Sequence, residues 1–534
     1  MRGTIWALLP ALIAIILALI TKQVYVSLFL GLLVGALCLT NGNPITGFEK
    51  VVECIAENIF GDYDHAYIIM FALCLGILVV LITVSGGSLA YGEWATKKIK
   101  TKRGALLSTF GLGLIIFIDD YFNCLTVGNV MRPVTDKNKV PREKLALFID
   151  CTAAPLCIIA PISSWAAAVG STLNVTNGFQ VFLKSIPFNL YAILTMIMVL
   201  IVALKDFNIG LMKTIEEKSK LEDFKVSEED EKIGGLTPNP KGKVIDLLLP
   251  IIVLIVLSVF FMLYTGGIFR GENIINAFSN CEAGKSLSIS SLITLAIFYI
   301  YYIARKLITF EQINDSILGG FRTMAPTILI LVFAWSLGSM CSSSNYLALS
   351  ECTIFQNLSS IGFLFPAIIF ALSAVIAFST GTSWGTFAIL LPLVPQFIGN
   401  STDPLFFVSI AAVLGGSVCG DHLSPISDTT ILSSSGARCN FMNHVKSQIP
   451  YALIVCSCTF VSYLILGIMT TFMDNQSYTF FAIISLVMGI GLLLLTVFII
   501  SKINDKPKSQ ELESVVENLA ETQTENTNLN NTEE

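Results

Sequence analysis

The chain has 534 residues, of which 54% are hydrophobic and only 13% are charged, and its mean hydropathy is +0.75. Soluble domains carry about 25% charged residues, so this composition excludes a string of soluble domains and predicts an all-α polytopic membrane protein in a lipid bilayer. Most of the net charge of −6 lies in an acidic tail, where two Lys and seven Glu follow residue 505, and no basic face exists for nucleic acid.

A helix needs about 20 apolar residues to cross a bilayer. Apolar runs near or above this length predict spans, in chain order, at residues 5–21, 24–40, 66–85, 145–170, 186–204, 245–264, 286–304, 324–341, 405–436, 449–472 and 478–501. Two further apolar stretches, 104–131 and 361–398, are too long for one span and are interrupted by polar residues.

The stretch 104–131 lies between two basic loops. Residues 93–103 and residues 132–144 each carry five Lys or Arg, and positive charge in short loops marks the cytoplasmic side. Because both flanks are on one side, 104–131 is predicted to be a re-entrant helical hairpin with its tip near Asp119-Asp120. The acidic loop 41–65 is predicted to be outside, which places the N-terminus outside and the C-terminus in the cytoplasm.

The second half repeats these features. Pro161-Ile162-Ser163-Ser164 matches Pro425-Ile426-Ser427-Asp428, and 42 residues before each Pro stand Asp119 and Ser383, respectively. The stretch 361–398 is therefore predicted to be a second hairpin, entering from outside, with its tip near Ser379–Gly385. An odd number of crossings between the halves indicates inverted-topology repeats, which are typical of secondary transporters.

Proline inside the spans 145–170 and 405–436 removes backbone hydrogen bonds, so both are predicted to be discontinuous helices. The predicted organisation is a first transmembrane repeat, a charged cytoplasmic linker, a second repeat, an extra helix and a disordered acidic tail, at residues 1–204, 205–244, 245–472, 473–501 and 502–534.

Ionisable residues at membrane depth are costly and mark functional sites. Here they are acidic apart from one His, which favours a cation such as Na⁺ bound by carboxylates, hydroxyls and freed carbonyls. The candidate binding residues at the tips and breaks are Asp119, Asp120, Asn123, Ser163, Ser164, Thr382, Ser383, Asp421, His422, Ser424, Ser427, Asp428 and Thr429.

Asp428 is the leading candidate, and the alternative is that it only caps a helix after Pro425. Asp119 and Asp120 diverge by about 100° on a helix, so one of them is expected to face the ion, unless the tip is simply solvated. Na⁺ is predicted at Asp428, Ser427 and one of these two. His422 is either a proton carrier or a structural residue.

Three segments resemble the NhaC family of bacterial Na⁺/H⁺ antiporters: GDHLSPISDTTILSSSGA at 420–437, FIDDYFN at 117–123 and STGTSWGT at 379–386. The resemblance implies exchange of Na⁺ for H⁺ by alternating access in a bacterial cytoplasmic membrane, with Asp428 and Ser427 at the ion site and Asp119 and Asp120 near the other hairpin. It also implies a homodimer.

No phosphate-binding loop and no nucleophile–base pair is present, so the sequence predicts a transporter driven by ion gradients, neither an ATPase nor an enzyme, with no cofactor beyond the transported Na⁺. The alternative is a Na⁺-coupled or H⁺-coupled carrier of an amino acid or small carboxylate, because an organic carboxylate suits the N-terminus of a half-helix. A passive channel is the third hypothesis.

Overall fold

The computed structural model describes residues 2, 4–21, 23–61, 63–173, 175, 177–219, 238–279, 281–342, 346–347, 362–398, 403–425, 427–473 and 477–504. Every regular element in these residues is a helix. Two predictions lie outside the described residues, namely the charged linker over 220–237 and the disordered tail from residue 505.

Five helices open the chain: α1 (Leu9–Thr21), α2 (Val24–Leu39), α3 (Pro44–Ala56), α4 (Tyr63–Val84) and α5 (Gly87–Lys98). Helix α3 lies in the segment that the sequence predicted as an outside loop. Asn43 caps it by accepting from the Ile45 and Thr46 N–H groups, and its apolar face buries Val51 and Cys54. The loop assignment followed charge alone, and the capped amphipathic helix has a period that charge does not reveal.

Helices α6 (Lys102–Ile115) and α7 (Asp120–Lys137) form the first segment that doubles back. The Lys137 ammonium at the end of α7 donates to the Thr96 carbonyl, 3.1 Å away, just before α6 begins. The segment therefore returns to the level at which it started, and its interruption at residues 116–119 coincides with the tip that the sequence predicts.

The next elements are short where proline interrupts them. They are α8 (Arg142–Thr152), α9 (Ala154–Cys157), α10 (Ser164–Thr172), α11 (Gly178–Ser185), α12 (Leu190–Lys205) and α13 (Leu211–Ser219). The predicted span 145–170 is thus divided among three helices, and α13 occupies part of the predicted linker.

The second half begins with α14 (Ile245–Thr265), α15 (Ile274–Ser279), α16 (Ala283–Ala304) and α17 (Phe310–Ser342). Helix α17 begins well before the span predicted at 324–341 and bends by 41° near residues 325–328. Its first turns carry Glu311, Asp315 and Arg322, which excluded them from a span defined by apolar residues.

Helices α18 (Phe365–Thr380), α19 (Ser383–Leu390) and α20 (Val394–Ile398) form the second segment that doubles back. The rings of Phe365 and Phe397, at its two ends, have their centroids 5.2 Å apart. Gly381 ends α18 with φ +71°, a left-handed conformation that favours glycine.

The last helices are α21 (Pro404–Leu423), α22 (Asp428–Ala437), α23 (Phe441–Phe472) and α24 (Tyr478–Asn504). Short 3-10 turns lie at Ile5–Leu8, Ile186–Phe188, Ile268–Arg270 and Leu391–Leu393, and a π turn lies at Glu57–Gly61. By internal contacts the chain divides at Gly489, within α24, and every helix before α24 belongs to the first unit.

Within the described residues, seven helices are long and apolar enough to cross a membrane, and two bent helix pairs raise this number to nine. The prediction of an all-helical, multi-pass membrane protein is confirmed.

Glycine brings the two halves into contact. A Cβ on Gly128 of α7 would lie 2.5 Å from the Gly436 carbonyl carbon of α22, and a Cβ on Gly436 would lie 2.6 Å from the Cys124 carbonyl oxygen. Only glycine at both positions permits this approach, which resembles small-residue packing between membrane helices. Helix α7 of the first half therefore crosses α22 of the second half backbone to backbone.

Candidate functional site

Asp119 forms the start of α7. Its Oδ1 accepts a hydrogen bond from the Phe122 N–H at 2.9 Å, so Asp119 is the N-cap of the helix. The Asn123 amide donates to three carbonyls that the interruptions leave free, those of Gly113, Ile116 and Thr152, at 2.8–3.2 Å. These two predicted site residues therefore hold the break of α6–α7 together.

The break before α10 closes on the first tip. Ser163 caps α10 by accepting from the Ala166 N–H at 3.0 Å and donates to the Cys157 carbonyl at 2.8 Å. The Ser164 N–H donates to the Ile118 carbonyl at 2.8 Å, which fixes the start of α10 against the interruption between α6 and α7.

The second pair of interruptions has the same construction. Thr382 caps α19 through the Gly385 N–H at 3.4 Å, and Ser427 caps α22 through the Thr430 N–H at 3.0 Å. The Asp428 N–H donates to the Gly381 carbonyl at 3.0 Å. Two further predicted residues donate to main-chain carbonyls. The Ser383 hydroxyl donates to the Ser417 carbonyl at 3.3 Å, and the Ser424 hydroxyl donates to the Phe378 carbonyl at 2.7 Å.

The two pairs meet through two aromatic side chains. The Tyr121 hydroxyl on α7 donates to Asp428 Oδ2 at 2.6 Å, and the Trp384 indole N–H on α19 donates to Asp120 Oδ2 at 3.2 Å. Each bond joins a residue of the first half to one of the second. Asp120 and Asp428 therefore face the same region, which we name the acidic pocket and define as Asp120, Asp421 and Asp428.

Asp421 completes the pocket through Thr429. The Thr429 hydroxyl donates to Asp421 Oδ2 at 2.7 Å and lies 3.3 Å from the Ser427 hydroxyl, and the Thr429 N–H donates to Asp428 Oδ1 at 2.8 Å. The first turn of α22 thus holds two carboxylates at one place. The strongest charged neighbours of Asp120 and Asp421 are other carboxylates.

Burial differs among the three carboxylates. Asp120 and Asp421 have no exposed surface, whereas Asp428 is partly exposed. Asp120 Oδ1 and Asp421 Oδ1 accept no hydrogen bond from the described residues. A buried carboxylate oxygen without a partner is expensive, so these two atoms require a proton, a water molecule or a cation.

No three His, Cys, Asp or Glu side chains of the described chain are grouped so that they could hold a metal ion by themselves. A cation in the acidic pocket would also need hydroxyl or main-chain oxygens, and the breaks supply both.

His422 turns away from the acidic pocket. Its Nδ1 lies 3.1 Å from the Tyr191 hydroxyl, and its carbonyl accepts from Gln448. Asp150, which is not among the candidate residues drawn from the sequence, is fully buried among α8, α22 and α23.

The candidate residues drawn from the sequence include neither Tyr121 nor Trp384. Tyr121 follows Asp120 directly in the FIDDYFN motif, and Trp384 lies inside STGTSWGT. Their positions next to predicted site residues were the available signal, but an aromatic residue in a membrane helix more often only packs.

The pattern of the Na⁺/H⁺ antiporter family matches residues 145–468. An uncharacterized protein of Haemophilus influenzae is 38% identical over 482 residues, which covers 87% of this chain and 91% of that protein.

Shorter similarities reach proteins with named substrates. The malate-2H⁺/Na⁺-lactate antiporter of Bacillus subtilis is 28% identical over 189 residues, 33% of this chain and 38% of that protein. The arginine/ornithine antiporter ArcD of Halobacterium salinarum is 34% identical over 111 residues, 20% of this chain and 23% of that protein.

Proposed function

The chain belongs to the Na⁺/H⁺ antiporter family, and on that premise we propose that it exchanges Na⁺ for H⁺ by alternating access. The family consists of transporters rather than enzymes, so the chain is a secondary transporter. The observation that carries the proposal is the meeting of Asp120 and Asp428, from opposite halves of the chain, at the N-termini of α7 and α22.

The acidic pocket cannot stay empty of positive charge. Transfer of an isolated carboxylate into a medium of low dielectric costs several kcal/mol or more, and neighbouring carboxylates repel one another. Protons and Na⁺ both relieve this repulsion, and they cannot occupy the same oxygens together. Competition of this kind is what exchange of one cation for the other requires.

Asp120, rather than Asp119, is the carboxylate that we assign to the ion. Asp119 Oδ1 is engaged by the main chain of α7, whereas Asp120 reaches the second half through Trp384 and has an oxygen without a partner. We place Na⁺ at Asp428, Ser427 and Asp120, whose carboxylates bind protons when the ion is absent, with Asp421 as a neighbouring carboxyl of the pocket.

Two features support alternating access around this site. Both segments that double back place their interruption next to a broken helix, through the bonds of Ser164 to Ile118 and of Asp428 to Gly381. We infer that these are inverted repeats with re-entrant hairpins, and that movement of one hairpin with its broken helix exposes the pocket to each side in turn.

The test is proton movement driven by Na⁺ in proteoliposomes that contain the purified protein. Replacement of Asp428 by Asn keeps the size of the side chain but removes the carboxylate for which Na⁺ and H⁺ compete, so exchange is expected to fall by about two orders of magnitude.

The matched control is Asp403→Asn, because Asp403 caps the start of α21, at the opposite end of that helix from Asp421, and Asn caps equally well. Exchange at the wild-type rate by Asp428→Asn would remove the pocket from the mechanism. Absence of Na⁺-driven proton movement in the wild-type protein would refute the proposed function itself.

A second candidate, Na⁺-coupled or H⁺-coupled transport of an amino acid or small carboxylate, draws on the named relatives and on two buried donors. Ser164 Oγ and Trp165 Nε1, in the first turn of α10, make no close hydrogen bond to a described residue, although they face the carboxylates of Asp119 and Asp120, respectively. An organic carboxylate could accept from both at that helix N-terminus. Thermal stabilisation of the purified protein by malate or arginine only when Na⁺ is present would favour it, whereas stabilisation by Na⁺ alone favours exchange.

A further inference from the structure

A second cluster of titratable groups lies outside the acidic pocket. The Gln448 amide donates to Asp150 Oδ2 at 2.6 Å, the Thr430 hydroxyl donates to the same oxygen at 3.0 Å, and His444 Nε2 lies 3.7 Å from it. His444 Nε2 is also 3.1 Å from the Ser433 hydroxyl. We name Asp150, His444 and Gln448, all without exposed surface, the relay cluster.

Several polar atoms of the relay cluster lack a hydrogen-bond partner among the described residues. Asp150 Oδ1, His444 Nδ1 and Gln448 Oε1 have no hydrogen-bond partner among the described residues, and the same is true of the nearby His422 Nε2. Polar atoms buried in this way normally bind water, and a water molecule needs two to four such partners. Water bound to these atoms would link the side chains of the cluster by hydrogen bonds.

The charges of the relay cluster also favour movement of a proton between its members. An ionised Asp150 in this position needs a compensating proton on an imidazole, and a neutral imidazole needs that proton on Asp150. The groups that face Asp150 are His444 on α23, His422 on α21 and Cys124 on α7, with Asp421 and Asp428 of the pocket beyond them. His444 in turn faces Asp150, Ser433 on α22 and His422.

The cluster lies between the acidic pocket and the start of α23. On one side, Thr430 bonds Asp150 while its neighbour Thr429 bonds Asp421, so one turn of α22 joins the two sites. On the other side, His444 is one turn along from the cap Asn440, and Asn443 beside it is exposed.

We propose that Asp150 and His444 form a proton-binding relay that carries protons between the aqueous end of α23 and the acidic pocket. The inference rests on the proposed exchange of Na⁺ for H⁺ and adds a proton site separate from the Na⁺ site. When a proton moves from the aqueous end of α23 toward the acidic pocket, the His444 imidazolium gives its proton to the Asp150 carboxylate. The Asp150 carboxyl then passes one proton through water or the α22 hydroxyls to a pocket carboxylate, and no other bond changes.

The experiment uses two fluxes through the same proteoliposomes. Na⁺/H⁺ exchange needs a net proton step, whereas exchange of radioactive Na⁺ for unlabelled Na⁺ needs only binding and alternating access. For His444→Gln and for Asp150→Asn we expect Na⁺/H⁺ exchange to fall at least about tenfold and to lose its pH dependence. Na⁺/Na⁺ exchange is expected to keep its wild-type rate.

His65→Gln is the matched control. His65 is a buried histidine of α4 that stacks on Trp335 with ring centroids 3.9 Å apart and bonds the Asn58 carbonyl, so it belongs to another part of the structure. Its replacement is expected to leave both fluxes and their pH profile unchanged.

Three results would overturn the relay. Loss of both fluxes in His444→Gln and Asp150→Asn would assign the cluster a structural role, and unchanged fluxes would assign it none. An equal change in His65→Gln would show that the effect is not specific to the cluster. A wild-type protein that fails to move protons against Na⁺ refutes the proposed function instead, so the two failures are distinguishable.

Discussion

The two interruptions at the site share one backbone arrangement and differ in where they carry acid. In the first half the interruption between α6 and α7 bears Asp119 and Asp120, and the break before α10 bears Ser163 and Ser164. In the second half the interruption between α18 and α19 bears Thr382 and Ser383, and the break before α22 bears Ser427 and Asp428. The acid stands at the tip in the first half and at the broken helix in the second, so the acidic pocket takes Asp120 from one half and Asp421 and Asp428 from the other.

The halves also differ in how the helices around the breaks are held. In the first half, Lys102 of α6 and Lys144 of α8 both pair with Asp206 and Glu216. In the second half, Gly416 of α21 packs directly against the backbone of α18, where a Cβ would overlap the Phe370 carbonyl oxygen. Helices α6 and α8 are therefore held in part by ion pairs with little exposed surface, whereas α18 and α21 are held by direct backbone packing.

The largest effect is expected from the acidic tip of the first half. Asp120→Asn removes the carboxylate that faces the second half, and Na⁺/H⁺ exchange in proteoliposomes is expected to fall by about two orders of magnitude. Asp119→Asn makes the same chemical change one residue earlier, and Asn remains a good N-cap, so exchange is expected to stay near the wild-type rate. The reverse ranking would show that the first half presents Asp119 to the ion.

An intermediate effect is expected from the interlocked helices of the second half. Gly416→Ala forces a methyl group into the α18 backbone and is expected to destabilise the protein by about 1–3 kcal/mol, measured as a lower thermal unfolding temperature in detergent. Gly111→Ala on α6 is the matched control, because a Cβ there meets no atom within 4 Å. Ala has a higher helix propensity than Gly, so Gly111→Ala is expected to leave the free energy of unfolding unchanged or raise it by up to about 1 kcal/mol. Equal destabilisation by both variants would remove the contrast between the halves.

The smallest effect is expected from the ion pairs of the first half. Partial burial raises the pKa of Asp206, but hydrogen bonds and charge from Lys102 and Lys144 outweigh it and hold the pKa well below its ordinary value. A depressed folded-state pKa contributes stability above the unfolded value of about 3.9, and this contribution is lost as pH falls through the folded-state pKa.

Asp206→Asn is therefore expected to lower stability at pH 7 by less than about 1 kcal/mol, because the carboxylate is half exposed, and the deficit is expected to shrink in strongly acidic buffer. Thermal unfolding at the two pH values measures it, with Asp315→Asn, an exposed carboxylate of α17, as the control. A deficit that grows on acidification would contradict the pairing.

Local features of the sequence predicted where the helices are interrupted. Pro161, Pro425 and the polar residues of the two tips break apolar runs by chemistry that acts within a few residues, so the sequence alone located the breaks that the structure contains. Charge patterns were less informative, because the capped helix α3 lies in a segment that was assigned as a loop and α17 begins at Phe310 within charged sequence.

Contacts between residues far apart in the chain could not be predicted from local sequence features. Tyr121 bonds a residue 307 positions away, and Gln448 bonds Asp150 across 298 positions. Both pairings depend on the close crossing of α7 and α22 and on where α23 starts, which no local pattern encodes. Composition sets the environment in which the chain is stable, and proline and capping residues act on the backbone within a few residues. The sequence therefore specified a membrane protein with broken helices. Which carboxylates share a pocket, and which histidine joins Asp150, followed from packing between segments far apart in the chain.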